Sequence, residues 1–526
     1  MLKLETFLHN LHFDTEKIFP PDWEVDWEDA PLSYKLYRGL PEFPLPPEVP
    51  LTITQRDFDG KPSLKEVGQF LWYVYGITQY SQSAKFEGSA KEMKQSLRRF
   101  VPSGGGLYPS ELYVYLKLEE VPEGIYHYSA AHHRLILLRE GNYDFYLSRS
   151  LGNGSDLLDC FGAVFISTVF WKNFYKYNNF SYRLQGLDAG VLIGQLLEVA
   201  KQMSFSNRVC YQFLDRAINH LLGLSEQDES VYAIIPLSIH QTINCAADDV
   251  HNKEEIISAN DLSSEVALLK HTSYNRSKRV IDYPLLKELN EASMYETTKS
   301  FVKINQKKSV KLALDTEIIL LPRKEHFSYD LSSVCRKRHS PDIDFTIGKV
   351  SQTQLSALLN ETYTFIYQND LDDTDGNVEN RVSLYGTFYN VEGLSNGAYS
   401  YDYSTHALSR ITEGDYREFL QFGLTMPNVN LYQVPLCMHA VGEKDYLIKN
   451  LGYRGYRIQQ MEAGILVQRL LLSACALEMG GHPLLGFDAN QCDDLYKISS
   501  SGKTSLIQIP VGPYRPRAWL KGSLHT

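Results

Sequence analysis

The sequence predicts an α+β fold made of two copies of one domain, packed against each other within one chain as a pseudo-dimer. Three observations carry that prediction: a long-range internal repeat, a repeated helix that is apolar on every face, and strand-like runs mixed with helices without a βαβ rhythm. "YRLQGLDAGVLIGQLLEVAKQM" begins at Tyr182 and "YRIQQMEAGILVQRLLLSACALEM" at Tyr456, 274 residues further on (456 − 182). "GIYHYSAAHHRL" begins at Gly124 and "GAYSYDYSTHAL" at Gly397, an offset of 273 (397 − 124). "SLKEVGQFL" from Ser63 is similar to "SQTQLSALL" from Ser351. Three blocks in one order at nearly constant spacing describe two domains of roughly 200 residues each.

The elements follow in chain order. "MLKLETFLHNLHFDTEK" interrupts its apolar residues with charges, unlike a signal peptide, so the cytoplasm is the expected compartment. "LYRGLPEFPLPPEVPLT" is proline-rich and reads as an extended arm that wraps the surface. "RRFVPSGGGLYPSEL", from Arg98 to Leu112, holds three consecutive glycines. It is not a phosphate loop of the Walker type, since no G-K-[ST] follows. Nor is it a dinucleotide fingerprint, since Pro109 and a strand come next rather than a helix. "LYVYLKL" and "IYHYSAAHHRLILL" are rich in tyrosine and β-branched residues around a short turn and read as strands, as do "SVYAIIPLSI" and "SLIQIPVG". The helix after Tyr182 carries Val191, Leu192, Ile193, Leu196, Leu197 and Val199, and its counterpart carries Ile465, Leu466, Val467, Leu470, Leu471 and Leu472. Helices apolar all round are buried all round, which implies a broad interface between the copies. The expected boundaries are a first domain at 1–250, a polar connector at 251–325 and a second domain at 326–526.

Composition narrows the function classes. The net charge of −11 argues against a general nucleic-acid binder but permits a local anion site. The seven cysteines are scattered, odd in number and form no C-x-x-C, so a disulfide framework or zinc site is not expected. No apolar run approaches the roughly 20 residues of a membrane span.

"VPSGGGLYPSELYVYL", "EGIYHYSAAHHRL" and "KYNNFSYRLQGLDAG" resemble the azoline dehydrogenases of the nitroreductase superfamily, and the resemblance covers both halves. It implies two tandem nitroreductase-like domains, FMN as cofactor, and oxidation of thiazolines or oxazolines to thiazoles or oxazoles in peptide natural products. Such enzymes usually bind flavin at a dimer interface, with an arginine/serine loop, a flavin-edge loop and a late basic pair from one subunit and a P-S-x-x-x loop from the other. By that resemblance the second half supplies Arg336, Arg338 and Ser340 in "CRKRHSPDIDF", Leu485 and Gly486 in "HPLLGFD", and Arg515 and Arg517 in "VGPYRPRAW". The first half supplies Pro102, Ser103, Gly104, Gly105 and Gly106. Each half lacks what the other keeps, so one composite flavin site is expected per chain. The assignment suits the chemistry. Arginine forks match phosphate oxygens, and glycines let the backbone approach a flat ring in unusual dihedrals.

The resemblance further implies a catalytic Lys-Tyr pair, and "KYNNFSYR" offers Lys176 and Tyr177, with Lys172 and Tyr175 as nearby alternatives. Azoline oxidation removes a proton from one ring carbon and passes a hydride to the flavin. A Lys or Tyr serves as base only if its pKa falls toward neutrality. Arg183 and Arg457 occur in both copies and read as structural, paired along their helices with Asp188 and Glu462. His127, His133 and His406 read as turn or packing residues, and His482 as a residue near the flavin edge. The expected partners are a peptidyl azoline on a precursor peptide or a carrier protein, a cyclase or synthetase, and molecular oxygen as electron acceptor. An NAD(P)H-dependent nitro- or quinone reductase and a non-catalytic docking protein remain the alternatives.

Overall fold

The computed structural model describes residues 2–53, 60–87, 90–153, 157–240, 256–304, 317–322, 327–364, 367–372, 380–516 and 520–523. The strands of the first half are β1 (Glu42–Pro44), β2 (Gln79–Glu87), β3 (Ala90–Arg98), β4 (Ser110–Leu116), β5 (Gly124–Ser129), β6 (Arg134–Glu140), β7 (Cys160–Val169), β8 (Ser206–Asn207) and β9 (Glu229–Ser238). Those that follow are β10 (Ile318–Leu320), β11 (Ser383–Phe388), β12 (Gly397–Asp402), β13 (Ala407–Glu413), β14 (Leu436–Glu443), β15 (Gly480–Gly481), β16 (Lys503–Gly512) and β17 (Leu520–Ser523).

They form one topology twice. The first sheet runs β1-β6-β5-β4-β7-β9-β8 and the second β10-β13-β12-β11-β14-β16-β15, position for position the same order. Local devices repeat as well. Ser63 closes a capping box with Glu66 at the start of helix Leu64–Tyr75, and Ser351 does so with Gln354 at the start of helix Gln352–Tyr363. In the hairpins β5–β6 and β12–β13, His133 and His406 adopt positive φ, and each meets a tyrosine, at 3.0 Å from Tyr128 and 2.8 Å from Tyr401. The chain is thus an α+β tandem repeat.

The two copies meet along the first core helix, Ser181–Gln202, and the second core helix, Tyr453–Ala476. Residues at equivalent positions face each other, as across the two-fold axis of a dimer. Tyr182 stacks on its equivalent Tyr456 with ring centroids 6.2 Å apart, and close by the axis, one place out of equivalence, Gln468 donates to Gln195 at 2.7 Å. The crossing is closest at glycines. A Cβ on Gly190 would lie 2.1 Å from the Met461 carbonyl oxygen, and one on Gly464 would lie 2.4 Å from that of Leu187. Both obstacles are backbone, which cannot swing away. Gly190→Ala is therefore expected to cost about 3 kcal/mol, the upper end of overpacking penalties, read as a lower denaturation midpoint.

Arg183 and Arg457 do not pair along their own helices; both reach across the interface. Arg183 donates to the carbonyls of Leu506 (2.6 Å) and Leu11 (3.4 Å), and Arg457 approaches Asp215 at 3.4 Å. Asp188 and Glu462 are engaged elsewhere, as described below. The same interface holds Arg454, whose Nη1 donates to both Asp215 oxygens at 2.7 and 2.8 Å in full burial.

The proline-rich arm does more than wrap the surface. Glu42–Pro44 adds an edge strand to β6, where proline is tolerated, and Leu45, Val49 and Ile53 enter the core. Within the connector, helix Pro284–Ala292 buries Leu286 and Leu289. Near the C-terminus, β17 pairs with β2 and β2 with β3, which ends at the glycine loop. Among the described residues no helix is long and apolar enough to cross a membrane.

Candidate functional site

The glycine loop leaves β3 at Arg98 and turns once at Gly104–Gly106 before β4. Gly105 and Gly106 have φ of 65° and 71° and Tyr108 has 51°, so this turn requires left-handed backbone at three positions. Its anchor is a residue that sequence reasoning placed elsewhere. Asp188, on the first core helix, accepts from Ser103 Oγ at 2.7 Å and from the Gly104 N–H at 3.2 Å. Tyr108 N–H donates to Ser103 Oγ at 2.9 Å, which closes the loop on itself. Burial pushes the Asp188 carboxyl up to about 7, against the two hydrogen bonds that pull it down.

Lys176 and Tyr177 end helix Trp171–Tyr177 and lie against this loop. A Cβ on Gly105 would be 2.6 Å from Tyr177 Oη and 2.8 Å from Lys176 Nζ, so only glycine leaves room for both. The Lys176 ammonium sits over the rings of Tyr177 (4.8 Å) and Trp27 (5.3 Å), and Trp23 Nε1 donates to the Lys176 carbonyl at 3.4 Å. Burial, together with the charge of Asp188, raises the Tyr177 phenol above its ordinary range. The lowered pKa that a tyrosine base requires is therefore absent, and Tyr177 is held as a neutral phenol. Lys172 turns the other way, into a buried network with Glu111, His127 and the Tyr108 carbonyl (3.2 Å). Burial pushes Glu111 up, but Lys172 and His127 more than offset it and hold the carboxyl well below the usual range. That network supports the loop from behind.

The second half arrives from two directions. Arg338 is buried; its Nε donates to the Phe100 carbonyl at 2.7 Å and its Nη1 to Ser340 Oγ at 3.3 Å, which joins the arginine/serine loop to the entry of the glycine loop. Beside it, Arg98 meets His339 at 3.1 Å, and the His339 ring lies 5.7 Å from Tyr514. Burial and the neighbouring Arg98 lower Arg338 to about 10. Among the described residues no carboxylate pairs with either arginine, and the two guanidiniums together could hold an anionic group. The loop carrying Leu485 and Gly486 is the other arrival. Leu485 is buried, the Gly486 carbonyl accepts from Thr425 N–H at 2.9 Å, and Phe487 lies 5.9 Å from the Arg183 guanidinium at the start of the first core helix.

Not every residue assigned by resemblance joins this cluster. Arg336 is exposed and donates to the Leu51 carbonyl of the proline-rich arm. Arg515 is exposed, and its backbone N–H bonds the Asp344 carbonyl at 2.9 Å. Pro102 is half-buried at the loop entry, and Arg517 lies outside the described residues. His482 bonds the Pro341 carbonyl at 2.5 Å, next to Ser340. The pair Arg98–Arg99 separates: Arg98 faces the cluster, whereas buried Arg99 donates to the carbonyls of Tyr75 and Ser33 and serves the fold. Asp188, Trp23 and Trp27 were missed. The acidic position inside the repeated "[DE]-A-G" block was the available signal for Asp188, and the two tryptophans in "DWEVDWED" for the others.

The equivalent place in the other copy is filled by the chain itself. Glu462 stands where Asp188 stands and takes Arg381 Nε at 2.7 Å, while Arg381 also pairs with Asp372. Asp370 accepts the N–H groups of Tyr211 (2.9 Å) and Gln212 (2.7 Å), which pins segment 367–372 across the first half. Beside them lies a cleft of about 40 Å³ lined in part by Arg381 and Glu462, room for a few waters.

No family model matches the chain. The trifolitoxin-processing protein TfxB of Rhizobium leguminosarum bv. trifolii is 26% identical over 238 residues, 42% of this chain and 62% of that protein. The microcin B17-processing protein McbC of Escherichia coli is 29% identical over 139 residues, 25% of this chain and 51% of that protein. The chain thus matches between half and two thirds of the length of these curated relatives. A crystal structure of an Anabaena variabilis protein assigned to the nitroreductases superposes with a TM-score of 0.75 at 22% identity, over 97% of this chain and 99% of that one, and shows the fold. The chain thus has the fold of that nitroreductase-assigned structure over nearly its whole length, and part of it is similar in sequence to TfxB and McbC.

Proposed function

We propose that the chain is an FMN-dependent azoline dehydrogenase with one composite site. The observation that carries this reading is the meeting of Lys176 and Tyr177 on Gly105, beside the Arg98–Arg338 cluster contributed by both halves. The cluster fits a phosphate, and the left-handed glycine turn fits close backbone approach to a flat ring. Arg98, Arg338 and Ser340 would hold the phosphate end, and residues 103–106 the ring. When bound, FMN supplies a hydride acceptor.

The remaining work falls to the protein. Conversion of a thiazoline or oxazoline to the aromatic ring removes one proton and one hydride from adjacent carbons. Tyr177, held neutral, donates a hydrogen bond that orients the heterocycle. Lys176, in its deprotonated form, takes the proton. The names of the two relatives, processing proteins for trifolitoxin and microcin B17, support a peptide substrate. A precursor peptide or a carrier-bound intermediate would present it, a cyclase or synthetase would supply it, and molecular oxygen would reoxidise the flavin.

The test uses the flavin-loaded chain and a model peptidyl thiazoline. Lys176→Ala and Tyr177→Phe are each expected to retain FMN and to lower the oxidation rate by about 100-fold, within the range for removing an acid–base group. Parental rates in both would end the assignment. Rapid flavin reduction by NADPH without azoline oxidation would instead establish a nicotinamide-dependent reductase.

A further inference from the structure

We propose that Asp188 is a positioning residue whose carboxyl latches the glycine loop, and with it the surface against which Lys176 and Tyr177 act, to the first core helix. The proposal deepens the catalytic reading above and rests on it for its purpose, though not for its test.

Three features carry it. Asp188 is the sole group on the core helix that holds both Ser103 Oγ and the Gly104 N–H, among the described residues, and these bonds precede the left-handed residues Gly105 and Gly106. Its counterpart Glu462 is taken by Arg381. One helix position therefore does two jobs, and the latch belongs to the half that keeps the glycine loop and the Lys-Tyr pair. Third, no cation forms a salt bridge with Asp188 among the described residues. The groups facing it are Ser103 and Gly104 of the loop, Tyr75 from helix Leu64–Tyr75, and Tyr177 from helix Trp171–Tyr177. Two cations of this region make other contacts: Lys176 lies at Gly105, and Arg99 over the Tyr75 ring at 4.0 Å.

Both Asp188 oxygens accept loop bonds. Burial holds the latched carboxyl at about 7, well above its range in water, so opening the loop to water favours loss of the proton. The latch therefore loosens as pH rises from about 6 to about 8 and tightens as it falls.

Hydrogen exchange on the flavin-free chain tests this without substrate or cofactor. The readout is the protection factor, the exchange rate relative to the intrinsic rate at the same pH, for amides 103–108. Protection in the parent is expected to fall about tenfold between about pH 6 and about pH 8. In Asp188→Asn it should be lower than the parent's at the lower pH and independent of pH, while helix Tyr453–Ala476 keeps parental protection. Asp188→Glu, which keeps the carboxyl, should restore the pH dependence. A parent without that fall, or an Asp188→Asn variant that keeps it, overturns the latch. If the latch behaves as stated and the chain nevertheless binds no FMN, the catalytic reading fails and the latch stands.

Discussion

Arg338→Met is expected to weaken FMN binding by at least about 100-fold, roughly 3 kcal/mol, while leaving the flavin-free fold as stable as the parent or more so. The two halves of that expectation have one cause. The Arg338 guanidinium is buried beside Arg98, with carbonyl and hydroxyl acceptors but no carboxylate among the described residues. Burial and the like charge lower its pKa to about 10, which means that the folded chain disfavours the charged form. The sign follows: at neutral pH the cation costs stability, and a neutral side chain of similar length recovers some of that cost, less the lost bond to the Phe100 carbonyl. An incoming dianion reverses the balance, because it neutralises both arginines in a water-poor site. Flavin fluorescence quenching measures the affinity, and urea denaturation measures the fold. Arg338→Lys should fall between, since it keeps the charge and loses the fork. Undiminished affinity in Arg338→Met would remove Arg338 from the site. Arg336→Met, by contrast, should change affinity little, because its side chain is exposed and turned to the Leu51 carbonyl of the proline-rich arm.

Asp215→Ala is expected to be the most damaging single change to stability, at about 3–5 kcal/mol, the range for removing one member of a buried ion pair. Asp215 is fully buried, accepts two bonds from Arg454, approaches Arg457, and accepts the Tyr295 N–H at 2.9 Å. It belongs to the first half, the arginines to the second core helix and Tyr295 to the connector, so one carboxylate joins three parts of the chain. Its removal leaves two guanidiniums buried with only carbonyls and the faces of Phe213, Tyr232 and Tyr295. The measurement is the urea midpoint of the flavin-free chain. Asp215→Ala combined with Arg454→Met should recover part of the loss, since fewer charges then remain unpaired. A loss below about 1 kcal/mol would show that water reaches this interface, as it does at surface pairs.

Much of the architecture was legible before any coordinates. The matched blocks at Tyr182 and Tyr456, and at Gly124 and Gly397, announced two copies, and the same strand order indeed appears twice. The apolar faces of the two repeated helices announced their mutual burial. Repetition, periodicity and apolar content are properties of local sequence, and local sequence largely determines which segments become strands, helices and hairpins. The glycine run, too, declared an unusual backbone.

Which charge meets which was decided only by the tertiary structure. Arg183 and Arg457 looked like partners of the acids on their own helices, yet each crosses to the other half, where a buried carbonyl or Asp215 accepts from it. Asp188 and Glu462 occupy one repeated position and diverge because one faces a glycine loop and the other faces Arg381. Arg98 and Arg99 are neighbours in sequence and point to opposite duties, since successive residues at a strand end face opposite sides. Side-chain partnerships form between groups hundreds of residues apart, once packing has excluded water and every buried donor and charge must be answered by whatever the fold brings near. The sequence by itself therefore determined two domains, their shared topology and the loop that only glycine can make; the tertiary structure decided that one repeated acid holds that loop while the other answers Arg381, because only packing brings those partners together.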